Sequence, residues 1–339
     1  MNALDLSPGV EYFLAQSGKL LLSLGSHFSL SSLAAALVFA ALFLAWRRRA
    51  KGRRIRLRTI VRALFPKRLT SHRSNTADIG YLFFNVFLFG IVLGWAILSY
   101  QFLSNAIIGG LNATFGAMTP STLPEFVTRS VITVMLFLSY EIGYWFNHWL
   151  SHRVPFLWEF HKVHHSAEVL TPLTNFRVHP VYALIFANIL ALSAGIANGI
   201  GNYMFGEASY QYALSDSNII LVVFIHTYVH LQHTEIWIPF RGLLGRVFVS
   251  PAHHQVHHST NPAHFNKNFG SCLALWDWMF GTLHVPSKER EKLSFGAEQD
   301  QYPAHTVSGE LVAPFIRAFA HIKSKLPGRT PALPERKQA

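Results

Sequence analysis

Residues 141–165 read EIGYWFNHWLSHRVPFLWEFHKVHH. This stretch decides the fold, because it starts on a membrane-helix pattern and ends by delivering five imidazoles at ligand-like spacings. His148 and His152 stand four apart, so a helix through both presents them from one face, with Cβ atoms roughly 6 Å apart. His161 and His164 share a face by the same rule, and His165 completes an i, i+4 pair with His161. A second HxxHH cluster follows at His254, His257 and His258, with His226, His230 and His233 on the approach to it.

Imidazole ligates in its neutral form and suits iron, copper, nickel and zinc, so histidine clusters without thiolates select against calcium and magnesium. A structural zinc takes four ligands and a catalytic zinc about three. Here His148, His152, His161, His164, His165, His254, His257 and His258, joined by at least one of His226, His230 and His233, are too many for one ion. The reading is two ions, with His230 and His233 as the ligands from the third segment. His179 and Asp277 join Glu141 as supporting groups. Glu141, His148 and His152 fall at i, i+7 and i+11, one helical stripe, so the carboxylate is expected to accept the second ring N–H of a ligating histidine. Asp277 is expected to hold a ligating histidine or a basic residue. His27, His72, His264, His284, His305 and His321 read as ordinary.

Around this stretch the chain of 339 residues is 50% hydrophobic, gathered into long uncharged runs. That pattern implies an all-α polytopic membrane protein of four to five spans with a cytosolic, histidine-rich helical cap. Lys and Arg number 29 against 17 Asp and Glu. Twelve of the basic residues lie between Arg47 and Arg73 without one acid, directly after an apolar run, which reads as a cytoplasmic flank and not as a nucleic-acid surface. The single cysteine, Cys272, excludes an intrachain disulfide and a thiolate metal site. The first strong apolar run precedes arginines instead of a cleavage site, so no removed signal peptide is expected.

Taken in order, residues 1–74 comprise an interfacial helix with Val10 to Leu24 as its body, a first span from Leu30 to Trp46, and the basic loop. Residues 75–285 hold further spans at Tyr81–Leu103, Phe126–Trp149 and Val181–Ile200, and a fifth candidate at Asn218–His233. The loop with Glu207 and Asp216 is placed outside. Ser250-Pro251 marks a boundary before the last histidine helix. Residues 286–339 read as a cytosolic tail, mobile after about Leu326. Counting spans from the basic loop puts all the histidine boxes at the cytoplasmic face.

His148-Trp-Leu-Ser-His152, His161-Lys-Val-His164-His165 and His254-Gln-Val-His257-His258 resemble the histidine boxes of the fatty acid hydroxylase/sterol desaturase superfamily of membrane di-iron oxygenases. Asn175-Phe-Arg-Val-His179-Pro180, His233-Thr-Glu-Ile, Lys267-Asn-Phe-Gly270 and Trp276-Asp277-Trp-Met-Phe-Gly281-Thr282 add to the likeness, which covers roughly Asn75 to Val285. The departures are Phe269, Trp278 and Glu235, and they bear on the subfamily. The resemblance implies two iron ions, O₂ as co-substrate, and hydroxylation or desaturation of a lipid or sterol-like substrate. It also implies electrons from a separate ferredoxin, cytochrome or reductase; no GxGxxG or Walker pattern is present. The implied place is the bacterial cytoplasmic membrane, or the endoplasmic reticulum in a eukaryote. Two other classes compete. A zinc-dependent membrane hydrolase would want an HExxH that the sequence lacks, and a metal transporter would string its histidines along a path through the membrane.

Overall fold

A computed structural model describes residues 7–206, 210–297 and 305–324. The protein is a helical, multi-pass membrane protein. Among the described residues, four helical segments are long and apolar enough to cross a bilayer: Leu30–Ala50, Ser74–Phe115, Glu125–Arg153 and Pro180–Phe205. The first begins where the Ser29 hydroxyl accepts from the Ser32 amide (3.2 Å) and ends on Arg47, Arg48 and Arg49, whose charge suits the negative end of the helix dipole. A preceding helix, Pro8–Leu22, stacks Phe13 on Phe87 and reaches the Phe87 carbonyl through the Tyr12 hydroxyl.

The second span is irregular. A π turn at Phe84–Leu88 and a 3₁₀ turn at Gly94–Ala96 lead to a break, after which Ser99 caps the helix Tyr100–Phe115. A broken backbone in hydrocarbon needs new partners. Asn188 of the fourth span supplies them, accepting from the Leu98 amide (2.9 Å) and donating to the Ala96 carbonyl (3.2 Å). The second and fourth spans therefore run parallel. Asn85 donates to the Phe176 and Val178 carbonyls near one end, Asn198 meets Ser104 further along, and the Tyr203 hydroxyl meets the Gly116 carbonyl near the other. Gly199 permits the close approach, since a Cβ there would lie 2.8 Å from the Ser104 carbonyl oxygen. The third span runs the opposite way: Gly201 faces Ile132, and Gly143 faces Ser193 and Leu190.

The fifth candidate is not one regular helix. Asn218 to His233 folds as a seven-residue helix, Ile219–Ile225, then turns and a 3₁₀ turn at Val229–Leu231. The segment still runs from the Thr133 end of the third span, where Asn218 donates to that carbonyl (2.9 Å), to the cap, where His233 meets His164. Glu207, placed in the external loop, lies outside the described residues.

At the opposite end of the bundle the cap forms from short helices. Pro155–His165 and Pro251–His257 each open on proline at the first turn, where a missing N–H costs nothing, and Ser250 closes the second with a capping box to His253. Part of the expected C-terminal tail is structural. The helix Val307–Ser324 packs on Pro155–His165, with Phe315 against Phe160 and Arg317 donating to Glu159 (2.6 Å). The segment read as mobile after Leu326 lies outside the described residues. Arg177, wholly buried, fastens this helix to the bundle: it pairs with Asp78 of the second span (3.1 Å) and with Glu310, and donates to the Val163 and Ser74 carbonyls.

Candidate metal centre

The cap brings nine imidazoles into two groups. The first holds His148, His152, His161, His165 and His257, the second His164, His233, His254 and His258, and in each group one nitrogen per ring lies within 4.8 Å of all the others. His148 and His152 come from the cap end of the third span. Each HxxHH box then serves both groups. Pro155–His165 gives its i, i+4 pair, His161 and His165, to the first group and His164 to the second; Pro251–His257 gives His254 and His258 to the second and His257 to the first. Adjacent residues on a helix point about 100° apart, so two boxes with the same spacing can each feed two neighbouring points.

Nitrogen spacing tests whether these rings fit a metal. In the first group His165 Nε2 lies 3.2 Å from His161 Nε2 and 3.1 Å from His257 Nε2. In the second, His233 Nε2 lies 3.3, 3.2 and 2.9 Å from Nε2 of His164, His258 and His254, and His254 and His258 are 3.1 Å apart. Ligands on one ion with metal–nitrogen bonds of about 2.1 Å stand about 3.0 Å apart at right angles and about 3.4 Å apart at a tetrahedral angle. Hydrogen bonding alone cannot satisfy the second group. His233, His254 and His258 form a triangle of Nε2 atoms, and an odd ring cannot alternate donor and acceptor, so at least one contact would set two lone pairs or two protons face to face. A shared cation satisfies all three lone pairs, and the residues present fit one metal ion in each group.

Electrostatics favours the ligating form. Burial, then the neighbouring rings, holds His161, His165, His233, His254 and His258 well below the ordinary imidazole value. It takes His164 down to about 3 and His257 to about 4. Neutral imidazole is what a metal requires. Two rings are also fixed in tautomer: His148 Nδ1 donates to the Phe269 carbonyl and His257 Nδ1 to the Lys267 carbonyl, both at 2.8 Å, which leaves each Nε2 as the bare acceptor.

Four expectations change. Glu141 does not touch His148; its carboxylate accepts from the Cys272 (3.1 Å) and Leu273 (2.7 Å) amides, because the 269–273 loop reaches over the span and its N–H groups, unlike an imidazole two helical turns along, point at the acid. Asp277 holds neither a histidine nor a basic residue. It accepts from the Phe269 and Gly270 amides, Trp145 Nε1 and the Thr282 hydroxyl, and so positions the loop whose Phe269 carbonyl orients His148. His179 caps the fourth span, Nδ1 accepting from the Val181 amide and Nε2 donating to the Leu311 carbonyl (3.1 Å). His230 joins neither group. Ser32 Oγ already donates to the Ser29 carbonyl, so it accepts from His230 Nε2 at 3.0 Å, on the side of the turn away from the centre. His226 is likewise engaged, with Val222 and Ser31.

Sequence reasoning missed Arg177, whose signal was a lone charge next to a span in an uncharged stretch. It also missed two rings that wall the centre, Tyr182 stacked on His161 (4.5 Å) and Trp158 against His152 and His165; Tyr144, expected beside His148 from their spacing, meets it edge-on (5.8 Å).

Residues 133–282, which contain every ring of both groups, match the model of the fatty acid hydroxylase family. This region is of the fatty acid hydroxylase/sterol desaturase type. The chain is 31% identical over 163 residues to human alkylglycerol monooxygenase, covering 47% of this chain and 32% of that protein. It is 29% identical over 175 residues to human cholesterol 25-hydroxylase, 50% of this chain and 58% of the relative. It is 30% identical over 149 residues to ornithine lipid hydroxylase OlsE of Rhizobium tropici, 44% and 40%. The chain spans about a third of the length of the alkylglycerol monooxygenases it matches. No solved structure matches it.

Proposed function

We propose that this chain is a di-iron monooxygenase that hydroxylates a membrane-resident lipid or sterol-like substrate. The observation that carries the reading is the convergence of nine buried imidazoles in two groups, at one end of a bundle of membrane-length helices. The relatives' names, all monooxygenases or hydroxylases of lipids, favour oxygen insertion over desaturation. That the rings gather at one end speaks against a transport path.

In this reading the five-ring group would hold one iron and the four-ring group the other. An O₂-activating metal supplies the oxidant for an unactivated C–H bond, which side chains cannot provide. The chain's own residues do the rest. Burial keeps the rings neutral and excludes water, the Phe269 and Lys267 carbonyls aim His148 and His257, and Arg177 clamps the helix carrying the second box. Phe186 lies edge-on to Tyr144 (5.4 Å) and stacked with Tyr182 (6.1 Å), so aromatic rings of the third and fourth spans lead from the bilayer to His148 and His161. The substrate enters laterally along them. The balanced reaction takes R–H, O₂, two electrons and two protons to R–OH and water. The electrons come from a separate ferredoxin, cytochrome or reductase, drawn to the basic segment between Arg47 and Arg73. That segment and the cap face the cytoplasm of a bacterial membrane, or of the endoplasmic reticulum in a eukaryote.

The test is expression in a lipid-defined host, with and without His164→Ala, followed by mass spectrometry of lipid extracts. A lipid that gains one oxygen only with the wild type supports the reading. Loss of two hydrogens replaces hydroxylation with desaturation. No altered lipid, with a metal-replete wild type and a supplied reductant, overturns it.

A further inference from the structure

Outside the nine-ring centre, three residues that the sequence presented as unrelated come together: His264 at the end of the 3₁₀ turn Pro262–His264, His284 after the Gly281 turn, and Glu291 in the following loop. We propose that they form a third metal site, separate from the centre, that takes a divalent cation of the zinc class.

One ligand atom from each residue lies within 4.8 Å of the other two. The donor set is two imidazoles and a carboxylate, which is borderline in softness and suits zinc; calcium and magnesium prefer all-oxygen sites. The carboxylate is already aimed. Glu291 Oε1 accepts from the Ser287 amide (3.1 Å), which turns Oε2 toward His264 Nε2 at 3.3 Å. Ser287 is itself held, because its carbonyl accepts from Trp237 Nε1. His264 is 6% exposed, and its Nδ1 is buried without a hydrogen-bond partner. His264 Nε2 and Glu291 Oε2 stand at the separation of two ligands on one ion. The His284 ring lies 5.1 Å from that of His264. His284 and Glu291 are partly exposed, so an ion has an entry path and keeps open positions for water.

An ion here has a structural consequence for the nine-ring centre. The main chain of His284 is bonded at both ends to the Asn268 side chain, which also donates to the His253 carbonyl. Asn268 sits between Lys267 and Phe269, whose carbonyls orient His257 and His148. Tying His264 to His284 and Glu291 therefore closes the segment 264–291 around the loop that aims two rings of the five-ring group. The third ion acts as a fastener of that loop.

The experiment is a metal count. Full-length wild type, His284→Asn and Glu291→Gln, purified in detergent, are equilibrated with low-micromolar zinc, desalted, and measured by mass spectrometry of total metal per chain. The expected result is one ion fewer per chain in both variants than in the wild type, whichever metals fill the nine-ring centre. In wild type equilibrated with cobalt, a visible absorption component lost in both variants marks the site directly. Equal metal content in the three proteins overturns the proposal. So does a Glu291→Gln protein that loses the ion count of the nine-ring centre while keeping the cobalt component.

Discussion

The two imidazole groups are built from the same boxes but are held in different ways. In the five-ring group, His148 and His257 are pinned from outside, through the Phe269 and Lys267 carbonyls, and that loop is anchored by Asp277 and Glu141. In the four-ring group, the Nε2 contacts of His233, His254 and His258 run to other rings of the group, and Arg177 clamps the helix that carries His164. The first group is thus pre-formed by backbone, the second completed by whatever cation its lone pairs share. Loss of an anchor should empty one group and spare the other, whereas loss of a ring should disable the pair.

The largest effect expected is from His164→Ala. It removes a ring of the four-ring group that also packs against His161 and His165, and the oxidised lipid should fall by at least about a hundredfold, as extracts would show. Asp277→Asn comes next. It turns an acceptor toward the Phe269 or Gly270 amide into a donor, and metal affinity should drop roughly tenfold to a hundredfold in the five-ring group alone. Metal titration checks this; equal losses from both groups would break the comparison. Glu141→Gln weakens two backbone contacts to the same loop and should lower stability by about 1–3 kcal/mol, read from thermal unfolding in detergent.

A smaller effect comes from two imidazoles that belong to neither group. Burial lowers His179 and His230 from 6.5 to about 4. A histidine buried neutral contributes stability that is fully present above its unfolded value and is lost as pH falls through the folded one. Metal-stripped protein should therefore lose thermal stability between pH 6.5 and pH 4, these two rings adding to those of the centre, and His179→Gln should make the loss shallower by one ring's share. A wild-type midpoint that is unchanged across the window would show that these rings are not carrying the dependence. Smallest of all, His230→Gln should leave metal content unchanged and lipid oxidation within about twofold, because its ring is spent on Ser32. A lost ion would restore it to the ligand set.

How legible the centre was differs residue by residue. The three boxes could be read directly, because i, i+3 and i+4 spacing on a helix fixes direction, and His233 followed from its nearness to them. The same nearness predicts His230 as a ligand only if the segment is a regular span; it is a short helix and a turn that send His230 toward Ser32. An acid inside a span needs a partner, which marks Glu141 in the sequence, but helical periodicity names only partners on its own helix, and its partners come 131 and 132 residues later. The same distance hid Arg177 with Asp78 and Glu310, and His264 with His284 and Glu291.

By itself the sequence determined what local geometry determines: the membrane-length helices, the basic flank, the prolines and Ser250 that start the cap helices, and the rings that share a helix face. Tertiary structure decided how those rings divide into two groups, which carbonyls aim them, and what the buried carboxylates hold. Those outcomes depend on loops crossing from one element to another, and a loop's path is set by hydrogen-bond partners far along the chain, which no spacing rule encodes.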